Sequence, residues 1–229
     1  MSSKPHYHGH RQRLKDKLVK QPQSLADYEI LELLLATVIP RSDTKPLAKA
    51  LMDQFGGLAD VFKAPEKQLL EIKGFGPALW TQWVLLTETF ARIKESPLRE
   101  KDVLNDPAII GEAAIARLGN KAREEFWIAL LDNKNRVIIW LKLNEGTVDQ
   151  APVYPREIMR HALEHNAAGV ILFHNHPGGD PMPSREDAAL TQKILKLAED
   201  MDVELIDHFI VTSDSYYNFR HRHSMFLNR

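Results

Sequence analysis

The chain has 229 residues, 44% of them apolar and 27% charged, with a formal net charge of −1, long enough for one large or two small domains with cores of their own. It contains no cysteine, which excludes disulfide frameworks, thiol chemistry and cysteine-type zinc fingers and leaves histidine and carboxylate side chains as the ligands for a transition metal. No long uninterrupted apolar segment and no apolar signal peptide is present, so the expectation is a soluble cytoplasmic protein with no membrane partner.

The charge is unevenly spread. Residues 1–95 carry 14 Lys and Arg against 11 Asp and Glu, whereas residues 96–229 carry 16 against 20. The opening stretch sets Arg11, Arg13, Lys15 and Lys17 beside His6, His8 and His10. It reads either as a phosphate-contacting arm or as a solvated basic helix, and the three histidines receive no ligand role.

An apolar helix is expected over Asp27–Val38, ended by Pro40. A second runs from about Lys45 to Gln54 and stops at Phe55-Gly56-Gly57, a third starts near Leu58, and Pro65 opens a fourth through Leu70. The segment Leu69 to Trp80 resembles a helix-hairpin-helix element. In such an element the Gly74-Phe75-Gly76 turn, with Lys73 beside it, lets backbone N–H groups at a helix N-terminus face a phosphate. Contacts of this kind do not read bases, so the expected partner is DNA bound without sequence specificity. A plain helical corner is the competing reading. A helix to about Lys94 closes this module, and polar Ser96-Pro97 through Asp106 reads as a linker. The expected domains are therefore 1–95 and 107–229, joined by 96–106.

Past Pro107 the pattern changes. A helix to Leu118 is followed by Phe126–Leu131 and Arg136–Leu141 flanking Asp132-Asn133-Lys134-Asn135, a β-hairpin signature. Pro155 opens a helix containing His161-Ala162-Leu163-Glu164-His165. That run matches an inverted zincin pattern, but both histidines fall on the polar flank and are read as surface residues.

The segment Phe173 to Asp187 carries the chemistry. A buried-strand run, Val170-Ile171-Leu172-Phe173, ends at His174-Asn175-His176, passes through a Pro/Gly-rich loop and re-enters helix at Ser184. Side chains two apart in extended backbone share a face, so His174 and His176 can offer two imidazoles to one ion. Counting helical steps from Asp187 gives Leu190, Ile194, Leu197 and Met201, which places the acid at the head of the expected apolar stripe. A buried carboxylate needs a cation or strong hydrogen bonds. Two imidazoles, one carboxylate and an open position suit a single catalytic Zn2+ per chain, although the donor set also admits iron, manganese or nickel. Ser184 and Asp187 also have the spacing of a capping box, which accounts for Ser184 and part of Asp187 but for neither histidine.

His-X-His, seven residues, Ser, two residues, Asp resembles the JAMM metal motif in the form carried by the RadC family. Tyr154-Pro155-Arg156-Glu157 and Leu205-Ile206-Asp207-His208 match that family too, with Gly178 where its members commonly have Ser. The resemblance implies an N-terminal all-α helix-hairpin-helix-like domain followed by a JAMM/MPN-like α/β domain, a mixed sheet flanked by helices. It implies metal-dependent hydrolysis of a peptide or isopeptide bond in a protein or peptide substrate. Glu124 would be the general base, with Glu125 as fallback and the one better suited to an ordinary exposed acid, and Ser184 would stabilise the oxyanion. The alternative is a DNA-processing, repair-associated protein whose metal domain acts on nucleic acid or only supports an assembly. Asp207 and His208 lie on opposite faces of a last long strand, so one of them can look toward the site, and neither is placed among the ligands.

Overall fold

The structure, a computed structural model, describes residues 6–145 and 153–222. The chain divides into two compact units between Thr87 and Glu88.

The first unit is helical. It comprises α1 (His6–Lys20), α2 (Asp27–Val38), α3 (Lys45–Phe55), α4 (Leu58–Lys63), α5 (Glu66–Glu71) and the first half of α6 (Pro77–Glu100). Its core is built from Leu31 and Leu35 of α2, Leu47 and Leu51 of α3, Val61, Leu69, Phe75, Leu79 and Trp83. Trp83 stacks on Phe62 at 4.5 Å and turns its edge-on neighbour Phe75 inward at 5.4 Å. Side chains of this size each contribute roughly 1.5–3 kcal/mol on burial, so short helices that would fray alone are held by packing. The basic opening is in part structural: Arg11 is buried and donates to the carbonyls of Pro40 and Ser42, both at 2.6 Å, and Lys17 pairs with Glu29 at 3.1 Å. Arg13, Lys15 and Lys20 stay exposed. The side chains of His6 and His8 lie outside the described residues.

One expectation fails at the junction. Residues 96–100 are helical, and α6 runs through Pro97 to Glu100. A proline inside a helix costs about 3 kcal/mol. Here the turn is anchored on both sides: Leu98 is buried in the core of the second unit, and buried Glu95 is gripped by the Arg117 guanidinium.

The second unit is a mixed sheet with helices. After α7 (Pro107–Leu118) come β1 (Glu125–Leu131), β2 (Val137–Glu145), α8 (Pro155–Glu164), β3 (Gly169–Asn175), α9 (Arg185–Glu199), β4 (Glu204–Val211), β5 (Tyr216–Asn218) and α10 (Phe219–Arg222). The sheet order is β2-β1-β3-β4-β5, antiparallel except for the β3–β4 pair, which α9 connects. Parallel neighbours need such a crossover, whereas β1 and β2 need only the Asp132–Asn135 turn. That turn is held by Asp132, which accepts from the backbones of Lys134 at 2.8 Å and Arg136 at 3.0 Å. The tail extends the sheet as β5; residues 223–229 lie outside the described residues.

Alternation on the strands separates two cores. Phe126, Ile128, Leu130, Val170 and Leu172 pack under α8 and α9, while Ala129, Leu131, Ile171 and Phe173 pack under α7. A Cβ on Gly111 would collide with the ring of Tyr216, so glycine lets α7 lie close to the sheet there. The buried face of α9 is rotated from the expected stripe. Its centre is Asp187, Thr191, Ile194, Leu195 and Ala198, with Leu190, Leu197 and Met201 only partly buried at its flank.

Candidate metal centre

The strand end and the helix start meet where the sequence pattern placed them. His174, one residue before the end of β3, lies opposite Phe126 of β1, whose ring is parallel to the imidazole at 5.9 Å and 10°. His176, just beyond, continues the parallel ladder by donating its N–H to Val211 O at 2.9 Å. Asp187 sits in the first turn of α9, where Ser184 caps the helix. Ser184 Oγ accepts from Asp187 N at 3.0 Å, and Asp187 Oδ2 accepts from Ser184 N at 2.8 Å and Ser184 Oγ at 2.6 Å. The capping box is thus real and coexists with the cluster, leaving Asp187 Oδ1 turned toward His174.

The three side chains converge. His174 Nε2 lies 2.9 Å from His176 Nε2 and 3.2 Å from Asp187 Oδ1, and His176 Nε2 lies 3.7 Å from Asp187 Oδ2. A tetrahedral ion with bonds of about 2.0–2.1 Å spaces its donors roughly 3.3 Å apart, which the His174–His176 and His174–Asp187 Oδ1 separations approach, while His176 meets the other carboxylate oxygen. His174 and Asp187 are buried and His176 is partly exposed, which leaves one side open. Burial alone would raise the Asp187 pKa, but hydrogen bonding to His174 and His176, the charge of His174 and the Ser184 hydroxyl bring it far below the usual carboxylate range. Hydrogen bonding to Asp187 raises the His176 pKa against its burial. A divalent cation would take the place that imidazole protons hold in this pairing, so metal binding and protonation compete here.

Glu124 joins the cluster: one carboxylate oxygen and ring nitrogens of His174 and His176 all lie within 4.8 Å of one another. Burial raises its pKa, the two imidazoles oppose the rise and Asp187 adds to it. Glu125 does not reach the site, and it is not the exposed acid its position suggested. It is buried, accepts from Trp127 Nε1 at 2.8 Å and pairs with Lys142 at 3.5 Å.

Two further residues, Asn175 and Thr191, escaped the sequence reading, and the structure decides between Asp207 and His208, which that reading left open. Asn175, between the histidines, holds the chain that carries Glu124: its Oδ1 accepts from Glu125 N at 2.8 Å and its Nδ2 donates to Arg123 O at 3.0 Å. His208 is buried, with Nε2 at 2.9 Å from His174 Nδ1 and Nδ1 at 2.6 Å from Thr191 Oγ1. Thr191 donates to Asp187 O at 2.6 Å. Burial drives the His208 pKa well down, and the His174 charge pushes the same way. A β-bulge selects His208 over Asp207. Val170 pairs with Leu205 and Ile171 with Asp207, so Ile206 is an extra residue and His208 pairs with Leu172, on the face of His174. Asp207 instead accepts from Asn218 Nδ2 at 3.0 Å and Arg220 N at 2.8 Å.

The α8 group is differently occupied. His161, Glu164 and His165 also lie close together, but the Arg160 guanidinium donates to Glu164 at 2.7 Å and lies 3.0 Å from His161 Nε2. A fixed cation already fills that place. In the first unit, Lys73 and Gly74 are exposed in the turn before α6 and Phe75 is buried. Gly74 has φ +98°, a conformation suited to glycine. Gly76 O accepts from Leu79 N and Trp80 N, which places Gly76 at the cap just before α6.

The second unit is therefore an α/β domain whose mixed sheet ends in a candidate metal-ligating cluster. A family model described as the RadC-like JAB domain matches residues 104–224, and the chain belongs to that family.

Proposed function

We propose that the protein is a metal-dependent hydrolase cleaving a peptide or isopeptide bond. The observation that carries this reading is the convergence of His174 Nε2, His176 Nε2 and Asp187 within 2.9–3.7 Å, with Glu124 beside them. One Zn2+ per chain, held by His174, His176 and Asp187, would supply the Lewis acidity that brings the pKa of water toward neutrality. Glu124 takes the proton from the attacking water and returns it to the leaving nitrogen, a task for which a carboxyl with a raised pKa is suited. Ser184 serves the oxyanion by turning its hydroxyl away from Asp187 Oδ2, which keeps the Ser184 N–H as a partner. The amide substrate class comes from the JAMM resemblance, and the donor set by itself suits a phosphodiester equally well.

The test is turnover of peptide and ubiquitin-like isopeptide substrates by zinc-loaded protein, with His176→Ala and Glu124→Gln alongside. Glu124→Gln should keep one zinc per chain and lose about 10²–10⁴-fold in rate. Metal-dependent scission of DNA with no amide turnover would replace this reading with nucleic-acid processing.

The turn at Lys73, Gly74 and Gly76, exposed at Lys73 and Gly74 and leading into the N-terminus of α6, supports a second proposal, sequence-independent contact with a DNA phosphate.

A further inference from the structure

We infer that His208 and Thr191 are positioning residues that set the tautomer of His174, keeping its Nε2 free of a proton and turned toward the ion. This rests on the proposed metal site.

The proton inventory along these contacts fixes each tautomer in turn. The Asp187 carbonyl can only accept, so the Thr191 hydroxyl must spend its single proton there, in the i to i−4 bond common for threonine in helices. Thr191 Oγ1 still lies 2.6 Å from His208 Nδ1, and with its proton spent it can only accept, so His208 carries its proton on Nδ1. A neutral imidazole has one N–H, which leaves His208 Nε2 as an acceptor. The 2.9 Å contact to His174 Nδ1 is then filled by a proton on His174. On neutral His174, the form that binds an ion, the lone pair therefore falls on Nε2, aimed at His176 Nε2 and Asp187 Oδ1. His176 reaches the same state more simply: its Nδ1 lies 2.8 Å from Asp180 O, which can only accept.

The chain of contacts closes on itself. Asp187 accepts the Thr191 hydrogen bond at its carbonyl and sets its carboxylate Oδ1 3.2 Å from His174 Nε2, so one residue of α9 stands at both ends, with two acceptors facing each other where an ion would sit. His208 is fixed as a linker because its ring is fully buried, stacked on Phe219 at 5.0 Å and 9° and tilted against Phe126 at 5.8 Å. Were the tautomers reversed, His174 would present Nε2–H to the site and could not bind an ion through that nitrogen.

The test combines 15N NMR of metal-free protein, on the alkaline side of the imidazole titration, with zinc affinity by chelator competition. Wild type should show His174 protonated at Nδ1. His208→Leu removes the acceptor and should weaken zinc binding roughly 10- to 100-fold. His208→Gln, whose carbonyl can accept from His174 Nδ1, should recover most of it. Thr191→Val keeps the volume and deletes the hydroxyl, so it should weaken zinc binding without unfolding the domain, and Thr191→Ser should restore it. A merely structural role would lower the melting temperature of His208→Leu and Thr191→Val but leave zinc affinity and the His174 tautomer unchanged, and that result would overturn the inference. If wild type binds no zinc, the proposed function fails, and the tautomer measurement decides this inference by itself.

Discussion

Asn175 and Glu125 join the two strands that carry the candidate site: the Asn175 side-chain oxygen accepts from the Glu125 backbone N–H at 2.8 Å. The residue between the two histidines thereby fixes where the chain of the proposed base runs. Asn175→Ala would leave a buried N–H without this partner, costing about 1–3 kcal/mol. It should also lower kcat at least tenfold while zinc content, measured by elemental analysis, remains one per chain. Unchanged kcat would separate Asn175 from the placement of Glu124.

Metal removal should be felt as stability. A ligand that binds the folded chain alone raises stability by about 2.7 kcal/mol at a hundredfold excess over its Kd. Chelation should therefore lower the melting temperature of wild type, and Asp187→Asn should melt at the same temperature with and without zinc.

The Glu95–Arg117 pair holds the turn of α6 that contains Pro97. Both groups are largely out of solvent. Glu95→Ala should leave Arg117 only its longer contacts to Glu88 at 3.4 Å and cost up to about 3–5 kcal/mol by urea unfolding, whereas replacing both Glu95 and Arg117 with apolar residues should cost far less. Equal losses in the two variants would show that the pair acts by attraction and not by burying a compensated charge.

In the β1–β2 turn the Arg136 guanidinium, with the backbone N–H groups, holds the Asp132 pKa down to about 2. The folded value lies below the unfolded one, so this contribution is complete above pH of about 4 and is lost as pH falls toward 2. The melting-temperature gap between wild type and Asp132→Asn should be constant near neutrality and narrow over that acid window. A gap independent of pH would mean that the carboxylate charge is irrelevant to the turn.

At Gly76 an added Cβ meets no atom within 4 Å. Gly76→Val should therefore leave the fold intact and, if the turn faces a phosphate, weaken DNA binding and flatten its salt dependence. Binding measured by fluorescence anisotropy that does not change would reduce the turn to a structural corner.

Local pattern determined much of this protein. The helix from Asp27 to Val38, the hairpin at Asp132–Asn135 and the His174, His176 and Asp187 cluster were legible because strand alternation, turn residues and capping act over a few neighbouring positions. What only the tertiary structure decided depends on partners far away in the chain. An interior proline kept its helix because Leu98 and Glu95 found burial and charge across the fold. His208, and not Asp207, faces the histidines because an extra residue at Ile206 reverses the alternation, and period-two counting cannot locate a bulge. Thr191 and Asn175 are likewise ordinary residues by spacing. Their roles exist only where α9, β4, β3 and the start of β1 come within hydrogen-bonding distance, a distance the sequence does not encode position by position.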